Sequence, residues 1–236
     1  MTASRFVIHP AVFRVLPGMR IATVAALGLG PPAVDVGDEL AAAWRSAAAE
    51  ASVYDHPQSH PRIAPWRSAF RAMGANPRDF PSSIEATVRR SLRGGEPFRI
   101  TPLVDLYHAV SLRNLTPAGA FDLDAIDDEV ELRRTRDGDR FTALDADGPV
   151  PVPPGEIAYA DGRVVLTRHL VWRQSREGLV RGGTRNAIVL SEVLAELDPG
   201  LVLQVHEDLR DSLGRVFGPE RLVSGILDEE SPELVW

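Results

Sequence analysis

The sequence predicts an α+β fold, with helices in the first half of the chain packed on a mixed or mostly antiparallel sheet. Helix-like spacing of apolar residues dominates residues 37–114, and short strand-like segments between Gly, Asp and Pro residues dominate residues 130–190. The chain has 236 residues, of which 44% are hydrophobic, so it can bury a substantial core. No repeat or low-complexity linker divides residues 1–236, and we therefore predict a single domain.

Two strands are expected to open the fold. Residues 6–15 and 20–27 are rich in apolar and β-branched residues and flank the turn Pro17-Gly18. The LGLGPP segment that follows superficially resembles a phosphate-binding loop. It lacks a third glycine, however, and runs into two prolines instead of a helix, which predicts an ordinary turn.

Helices are expected next. An alanine-rich helix is predicted over residues 37–51, and a second helix over residues 64–73. Ser82 and Glu85 form a capping box that begins a third helix. Arg89 lies one turn after Glu85, where the two side chains can form an ion pair.

The helix that begins near residue 101 is the most informative segment. Thr101 can cap it, and Pro102 is tolerated in the first turn because its missing N–H would lack a partner anyway. The spacing predicts an apolar face with a more polar stripe beside it. The apolar face comprises Leu103, Leu106, Tyr107 and Val110, and the polar stripe comprises Asp105, His108 and Ser111.

The polar stripe admits a catalytic-triad interpretation, because residues one turn apart can touch and an Asp–His pair orients an imidazole. Three members on one helix rarely aim a serine at a substrate, and the chain has no G-x-S-x-G turn. A helix-surface histidine with satisfied hydrogen bonds is commoner. We favour His108 as a cavity wall or as a group that positions water.

The second half of the chain is predicted to be rich in strands. Gly138, Gly148 and Gly162 mark turns between short apolar or alternating segments. The predicted elements are strands at residues 130–135, 141–144, 156–160, 164–171 and 187–190, and a helix at residues 201–213. The final segment, EESPELVW, is predicted to fray.

Composition excludes several kinds of site. The absence of cysteine rules out disulfides, thiolate metal sites and a cysteine nucleophile. Lysine is also absent, so arginine is the only permanent cation and a lysine Schiff base is impossible. His56 and His60 have the spacing of a zinc pair, but Pro57 and Pro61 prevent the helix that would bring them together. We expect no metal and no cofactor.

Charge and hydropathy indicate the surroundings in which the chain works. The first residues lack the layout of a secretory signal, and the longest apolar run is short and broken by proline, which predicts a cytoplasmic protein without membrane attachment. The net charge of −7 argues against nonspecific binding of nucleic acid. Arginines nevertheless cluster in residues 62–99. This cluster is either a patch that docks one nucleic-acid end or a solvated, salt-bridged helix surface.

Several ordered motifs resemble one known module. They are APWRSAFRAMGANPRDFPSSIEATVRR, VDLYHAVSL, TPAGAFDLDAI, RHLVWRQ and GGTRNAIVL, which together span about residues 60–195. The pattern resembles the B-three/B-four module of the phenylalanyl-tRNA synthetase β chain, and this chain looks like a free-standing relative. In the synthetase, the module binds the acceptor region of tRNA and hydrolyses tyrosine wrongly attached to the phenylalanine tRNA. The resemblance implies the same fold and a tRNA or aminoacyl-tRNA partner.

The chain departs from the synthetase pattern at positions of its editing pocket. Gly119 stands where the module usually carries a histidine, and Leu190, aligned through Thr184, stands where it usually carries a glutamate. Loss of that carboxylate removes a partner for a substrate hydroxyl, so specificity for tyrosine is not expected. His108 stands in place of an asparagine and can act as donor, acceptor or base.

The resemblance also implies roles for particular residues. We expect His108 and Asn186 to serve catalysis, with the attacking water held near His108 and with Gln174, Thr184 or Asn186 donating to the developing oxyanion. Trp172 and Arg173 can stack on an adenine and bind a phosphate, although a buried structural tryptophan beside a solvated arginine is an equal alternative. The expected substrate-binding residues are Asp105, Gly119, Arg173, Gln174, Thr184 and Leu190, and the expected tRNA-binding residues are Arg67, Arg89 and Arg90.

The sequence therefore predicts a protein that binds tRNA or aminoacyl-tRNA and hydrolyses a mischarged ester with water as the nucleophile. A complete tRNA ligase is not expected. Two alternatives stay open: a noncatalytic RNA-binding module, and a protein that binds an amino-acid-like metabolite. The salt dependence of binding distinguishes the RNA-binding functions from the metabolite-binding function. Phosphate-driven binding weakens steeply with ionic strength, whereas binding of a small molecule responds modestly.

Overall fold

The computed structural model describes residues 4–236, which form two β-sheets and six α-helices. The strands are β1 (Arg5–Ile8), β2 (Arg20–Leu27), β3 (Gly119–Asp122), β4 (Val130–Arg134), β5 (Arg140–Phe141), β6 (Val150–Pro151), β7 (Ile157–Asp161), β8 (Val164–Arg168), β9 (Arg173–Gln174), β10 (Ala187–Val193), β11 (Arg221–Leu227) and β12 (Glu233–Val235). The helices are α1 (Pro10–Phe13), α2 (Gly37–Ala51), α3 (Ala64–Ala72), α4 (Ser83–Ser91), α5 (Pro102–Asn114) and α6 (Leu201–Phe217). The predicted α+β class is confirmed.

The larger sheet is mixed and has eight strands, in the order β12-β1-β4-β7-β8-β5-β6, with β9 pairing to β8. Strand β1 is parallel to β4 and antiparallel to β12. Strand β5 is parallel to β8, whereas the pairs β4/β7 and β7/β8 are antiparallel. The hairpin of β7 and β8 brings Tyr159 to the face of this sheet that meets the smaller one, where its ring lies 5.4 Å from the ring of Phe121 in β3.

The smaller sheet has four antiparallel strands in the order β11-β2-β10-β3. All seven residues of β10 are buried, because β10 pairs on both edges and is covered on both faces. Helix α6 packs on this sheet. Side chains alternate along a strand, so Leu190 and Glu192 point to the same face. That face meets Tyr159 of the larger sheet.

Helix α5 lies at the centre of the helical layer, in contact with α2, α4, α6 and β3. Its capping agrees with the sequence, because Thr101 Oγ1 accepts a hydrogen bond from the Val104 N–H at 3.3 Å. The predicted polar stripe is not solvated. Asp105 and Ser111 are buried and make hydrogen bonds inside the protein, which leaves His108 as the stripe residue that reaches a cavity.

Several predicted strands and ends are wrong. The first strand stops at Ile8 because Pro10 begins a short helix. The strand predicted to reach residue 171 stops at Arg168, since His169 and Leu170 have φ angles of 46° and 63°, which a strand cannot contain.

Other errors concern strands that long-range pairing creates. β3 and β11 were not predicted, and both are edge strands whose partners lie far away in sequence. The strand predicted at residues 141–144 is confined to Arg140–Phe141, and β10 continues to Val193. The tail does not fray, because it contains β12, which pairs with β1.

One buried hydrophobic cluster joins side chains from both sheets and from all six helices within residues 4–236. A smaller cluster of Phe141, Val152, Ala158 and Val165 lies at the far end of the larger sheet. None of the helices in the described residues combines the length and the apolar character needed to span a membrane.

Candidate functional site

A cavity of about 170 Å³ opens between the two sheets and the helical layer. We call it the His108 cavity. Helix α5, strands β3 and β10, and the turn between β8 and β9 form its walls, and Ser83 at the start of α4 closes one side. The side chains with polar atoms in its lining are Ser83, Tyr107, His108, Tyr159, Thr167, Trp172, Arg173, Gln174 and Glu192.

His108 is half-buried on one wall of this cavity. Its ring lies edge-on to Tyr107, with the centroids 4.9 Å apart, and makes no hydrogen bond within the described chain. Burial lowers the pKa of His108 to about 4, although the nearby Asp105 charge opposes the shift. The imidazole is therefore neutral near pH 7, and each of its nitrogens is free to contact a ligand or a water.

Glu192 lies in the same cavity, and its side chain was not among the expected site residues. It is 3% exposed. The Tyr159 hydroxyl donates a hydrogen bond to Glu192 Oε1, whereas Oε2 has no partner within residues 4–236. Burial raises the pKa of Glu192 to about 7, and the hydrogen bond from Tyr159 opposes the shift. The cavity therefore contains a carboxyl group that changes charge near neutral pH and has one free oxygen.

A sequence signal for Glu192 was available. Leu190 was assigned to the position of the synthetase glutamate, and Glu192 follows two residues later, on the same face of β10. A carboxyl group thus lines the cavity even though Leu190 itself is apolar. The predicted strand ended at residue 190, whereas β10 continues to Val193. Glu192 was therefore not recognised as the next residue that points to the same face as Leu190.

Gln174 and Arg173 line the cavity from β9. Gln174 Nε2 donates to the carbonyl oxygen of Ala120 at 2.9 Å, which fixes the orientation of the amide. Its second N–H and its Oε1 make no hydrogen bond in the described structure. Arg173 forms an exposed ion pair with Asp145, with an N–O distance of 2.6 Å. An exposed pair of this kind is weak and can open to bind a ligand.

The turn that presents β9 to the cavity has a strained backbone. His169 and Leu170 are consecutive non-glycine residues with positive φ, a conformation that costs about 1–3 kcal/mol at each residue. Glu156 holds the turn by accepting from the His169 N–H at 2.6 Å and by forming an ion pair with Arg168. The His169 ring also packs on Phe80, with centroids 4.1 Å apart.

The structure brings together five of the eight residues expected to bind substrate or to serve catalysis. His108, Gly119, Arg173, Gln174 and Leu190 line one cavity. Asp105, Thr184 and Asn186 do not line it.

Each of the three remaining residues holds other parts of the chain in place. Asp105 accepts from Arg99 Nε at 2.6 Å and from the Ile100 N–H at 2.9 Å. Thr184 donates to Asp122 at 2.6 Å.

Asn186 joins three segments. Its Nδ2 donates to Asp124 at 2.9 Å, and its Oδ1 accepts from the Gly28 N–H at 2.9 Å. It immediately precedes β10, whose residues Leu190 and Glu192 reach the cavity, and its nearness in sequence to this strand suggested convergence with His108.

The three expected tRNA-binding arginines differ in their partners. Arg67 and Arg89 both bind the buried Glu85, at 2.8 and 2.5 Å. Arg90 has no acidic partner within residues 4–236 and lies over the ring of Phe98, with Cζ 3.5 Å from the ring centroid. Glu85 therefore pairs with two of these three arginines, and Arg90 is the member of the set that has no acidic partner in the described residues.

No group of three or more His, Asp or Glu side chains in the described chain is arranged to hold a metal ion. His60 instead contacts Glu50 through Nε2 at 3.1 Å and accepts from the Arg62 N–H through Nδ1.

Comparison with known families agrees with the resemblance in the sequence. Residues 65–218 match the model of the B3/4 domain, a span that contains every residue lining the His108 cavity. The chain belongs to the B3/4 domain family. The B-three/B-four resemblance is thereby confirmed, and the match also includes α6 of this B3/4 domain, beyond the motifs that suggested it.

Among solved structures, this B3/4 domain is similar to an N-terminal fragment of the phenylalanyl-tRNA synthetase β-subunit from Pyrococcus horikoshii, with a TM-score of 0.43 and 12% sequence identity. The alignment covers 96% of this chain and 51% of that chain, so the chain spans about half the length of the fragment. No curated protein matches the chain.

Proposed function

We propose that the chain binds the 3′ end of an aminoacyl-tRNA and holds the aminoacyl group in the His108 cavity, where water hydrolyses the ester. The observation that carries this proposal is the presence of unpaired polar groups from His108, Gln174 and Glu192 in one partly apolar cavity of a B3/4 domain. The volume of about 170 Å³ is below the roughly 300–1,000 Å³ of pockets that enclose drug-sized ligands. It suits one amino-acid group.

Each polar group has a role in this reaction. The neutral His108 accepts a hydrogen bond from water and orients its oxygen towards the ester carbonyl carbon. The water oxygen forms a bond to that carbon, which gives a tetrahedral oxyanion. When this intermediate collapses, the bond from the carbon to the ribose oxygen breaks, and the proton that the water loses ends on the ribose oxygen. The free N–H of Gln174 can donate to the oxyanion that develops on the carbonyl.

Glu192 supports selection of the amino acid. Its free Oε2 accepts from a donor on the bound group, an ammonium or a hydroxyl, once the carboxyl is ionised. A buried acceptor without a partner disfavours ligands that leave it unpaired. Gly119 and Leu190 add no polar side chain to the cavity wall, so discrimination depends on Glu192 and on the shape of the cavity.

The test is deacylation of a panel of mischarged tRNAs by the wild-type chain and by His108→Ala. We expect hydrolysis of at least one pair above the uncatalysed rate, and a loss of roughly tenfold to a hundredfold in His108→Ala. His56→Ala is the control, because His56 is exposed and lies outside the cavity. Equal rates for wild type and His108→Ala would exclude His108 as the group that positions water.

Binding without hydrolysis is the second candidate function. The pKa of about 4 at His108 favours it, because a base this weak assists proton removal poorly at pH 7. This candidate predicts that the chain binds aminoacyl-tRNA and protects its ester, so that hydrolysis slows when the protein is added. A hydrolysis rate above the uncatalysed rate therefore indicates an enzyme, and a rate below it indicates a protein that binds and protects the ester.

A further inference from the structure

A second cavity of about 170 Å³ lies on the other side of His108, between α2, α4 and α5 and beneath the segment 92–100. We call it the Phe98 cavity. His108 lines both cavities and separates them. The walls of the Phe98 cavity are mostly apolar and include Leu40, Trp44 and Leu112, with Arg90 at its edge.

One face of α4 connects the two cavities. Ser83 lines the His108 cavity, whereas Thr87 and Arg90 line the Phe98 cavity. These residues are four and three positions apart, so they lie on the same side of the helix. The rise of 1.5 Å per residue places Arg90 about 10 Å along the axis from Ser83. The two cavities therefore follow one another along α4 with His108 between them, and we call the pair the groove; together they have the scale of a nucleoside that carries an acyl group.

Polar groups with unused hydrogen-bonding capacity are spaced along this groove. The Ser83 hydroxyl makes no hydrogen bond in the described structure, and neither does the His108 ring. Arg90 has no acidic partner there. The groove thus offers a hydroxyl in the His108 cavity, an imidazole between the two cavities and a cation in the Phe98 cavity, which matches a ribose followed by a phosphate.

The segment above the Phe98 cavity is held at both ends and exposes apolar side chains between them. Trp44 Nε1 donates to the Gly95 carbonyl at 3.1 Å. Arg99 forms ion pairs with Asp35 and Asp105, each at 2.6 Å. Phe98, between these anchors, is 61% exposed. The ring of Phe98 is therefore oriented by the fold, with Arg90 against one face, and most of its surface is left open to a ligand.

We propose that the Phe98 cavity binds the terminal nucleobase of an acylated RNA 3′ end, with Arg90 on the adjoining phosphate, while the acyl group occupies the His108 cavity. This inference rests on the proposed function. An aromatic side chain beside an arginine is suited to stacking on a base, whatever its identity, and this stacking is typically worth about 1–3 kcal/mol per base. His108 then lies at the junction of nucleoside and acyl group, where the ester bond is.

The test is calorimetric titration with three probes that resist hydrolysis. They are an amino acid amide, the same amino acid linked by an amide to the 3′ position of adenosine, and the second compound with a 5′-phosphate. The variants are Phe98→Ala and Arg90→Gln. The controls are Leu203→Ala, another exposed apolar residue at 55% exposure, and Arg71→Gln, another exposed arginine; both lie outside the groove.

We expect Phe98→Ala to weaken binding of both nucleoside probes by roughly five- to a hundredfold and to leave the amide probe unchanged. Arg90→Gln should weaken the phosphorylated probe more than the unphosphorylated one. The controls should bind all probes like the wild type. Circular dichroism melts establish that each variant is folded.

Failure of this inference and failure of the proposed function give different results. If the wild type binds the nucleoside probes and Phe98→Ala binds them equally well, the Phe98 cavity does not hold the base and only this inference falls. Phe98 would then be free to contact a protein. If the wild type binds the nucleoside probes no more tightly than the amino acid amide, the inference is also overturned, and the chain binds a metabolite. If the wild type binds no probe, both proposals are overturned.

Discussion

At the scale of single residues, Glu192 carries the clearest electrostatic signature. Its pKa of about 7 lies above the 4.5 of a free glutamate because the carboxylate is buried. The folded state therefore holds a proton that the unfolded state releases between these pH values. Protonation of Glu192 therefore contributes to the free energy of unfolding. This contribution is fully present below pH 4.5 and is lost as the pH rises through 7.

Glu192→Gln tests this linkage. The substitution removes the titration and keeps an oxygen that can accept from Tyr159. We expect the free energy of unfolding of the wild type to fall between pH 5 and pH 8, relative to the variant, by up to roughly 3 kcal/mol. Urea unfolding at the two pH values measures it. Glu196→Gln, an exposed carboxyl, is the control. Parallel pH profiles for wild type and Glu192→Gln would show that Glu192 does not titrate differently in the folded state.

Gly119 determines how much room the His108 cavity has on the β3 side. No atom lies within 4 Å of the position that a Cβ would occupy, and the backbone does not have a positive φ. Gly119→Ala should therefore fold and gain about 0.4–1 kcal/mol in stability from the restricted unfolded chain. It should also weaken binding of the bulkiest accepted amino acid, because the added methyl group enters the cavity.

Gly214→Ala is the matched control for this substitution. Gly214 also has open space around its Cβ position but lies in α6, outside the cavity. Thermal melts and ligand titrations on both variants separate stability from binding. Unchanged affinity in Gly119→Ala for every ligand would contradict the assignment of Gly119 to the cavity wall.

At the scale of elements, the connection between β2, β10 and the turn after β3 depends on Asn186. Its amide makes hydrogen bonds to Gly28 and Asp124, which belong to separate segments of the chain. Removing this side chain leaves the half-buried Gly28 N–H without its partner, whereas the exposed Asp124 carboxylate can bind water instead, so the expected cost is that of a typical hydrogen bond, about 0.5–1.5 kcal/mol.

Asn186→Ala should therefore reduce the free energy of unfolding by that amount and leave the affinity of the His108 cavity for ligand nearly unchanged. Chemical denaturation measures the first effect, and titration at a temperature where the variant is folded measures the second. A variant with wild-type stability and strongly reduced hydrolysis would instead support the catalytic role that the sequence suggested for Asn186.

Local patterns in the sequence were sufficient to predict the five longer helices, α2 to α6, because their signals lie within a few residues of each other; the four-residue α1 was predicted as strand. The capping residues Thr101 and Ser82 and the pair of Glu85 with Arg89 are all present in the structure. The helix predicted at residues 37–51 coincides with α2. Strands depend on partners far away in sequence, and no local pattern indicates that β12 pairs with β1.

The same distinction applies to the candidate site. His108 was found because helical spacing and a family motif point to one position. Glu192 was missed, since a glutamate among apolar strand residues shows its partner only when β7 brings Tyr159 across from the other sheet. Thr184 and Asn186 were expected at the site because they precede the strand that lines it. The sequence does not show the register of that strand, and in the structure the two side chains bind Asp122 and Asp124 instead.

At the scale of the whole molecule, the charge distribution predicts weak dependence of RNA binding on salt. The net charge is −7, and Arg67, Arg89 and Arg99 have acidic partners. Five other arginines in residues 62–99 have no acidic partner within residues 4–236, and Arg90 is the one of these that lines the groove; they are Arg62, Arg71, Arg78, Arg90 and Arg93. With two or three phosphate contacts on a single strand, log K should fall with log[salt] with a slope of about −1.5 to −2.

Binding titrations with aminoacyl-tRNA between 50 and 300 mM salt, concentrations chosen to span roughly a sixfold range, measure this slope. Arg90→Gln should reduce its magnitude by about 0.7, and Arg71→Gln should leave it unchanged. A slope near zero would indicate a neutral small ligand, and a slope steeper than about −4 would require more phosphate contacts than the groove provides, and therefore contacts to arginines elsewhere on the surface.

The pairing of β1 with β12 affects how the chain matures during synthesis. One edge of β1 pairs with β4, and the other pairs with β12. The amide and carbonyl groups of the second edge therefore stay exposed until residues 233–235 have left the ribosome. Exposed strand edges recruit other strands. Nascent chains stalled before residue 233 should therefore associate with one another or recruit chaperones, whereas completed chains cover this edge themselves.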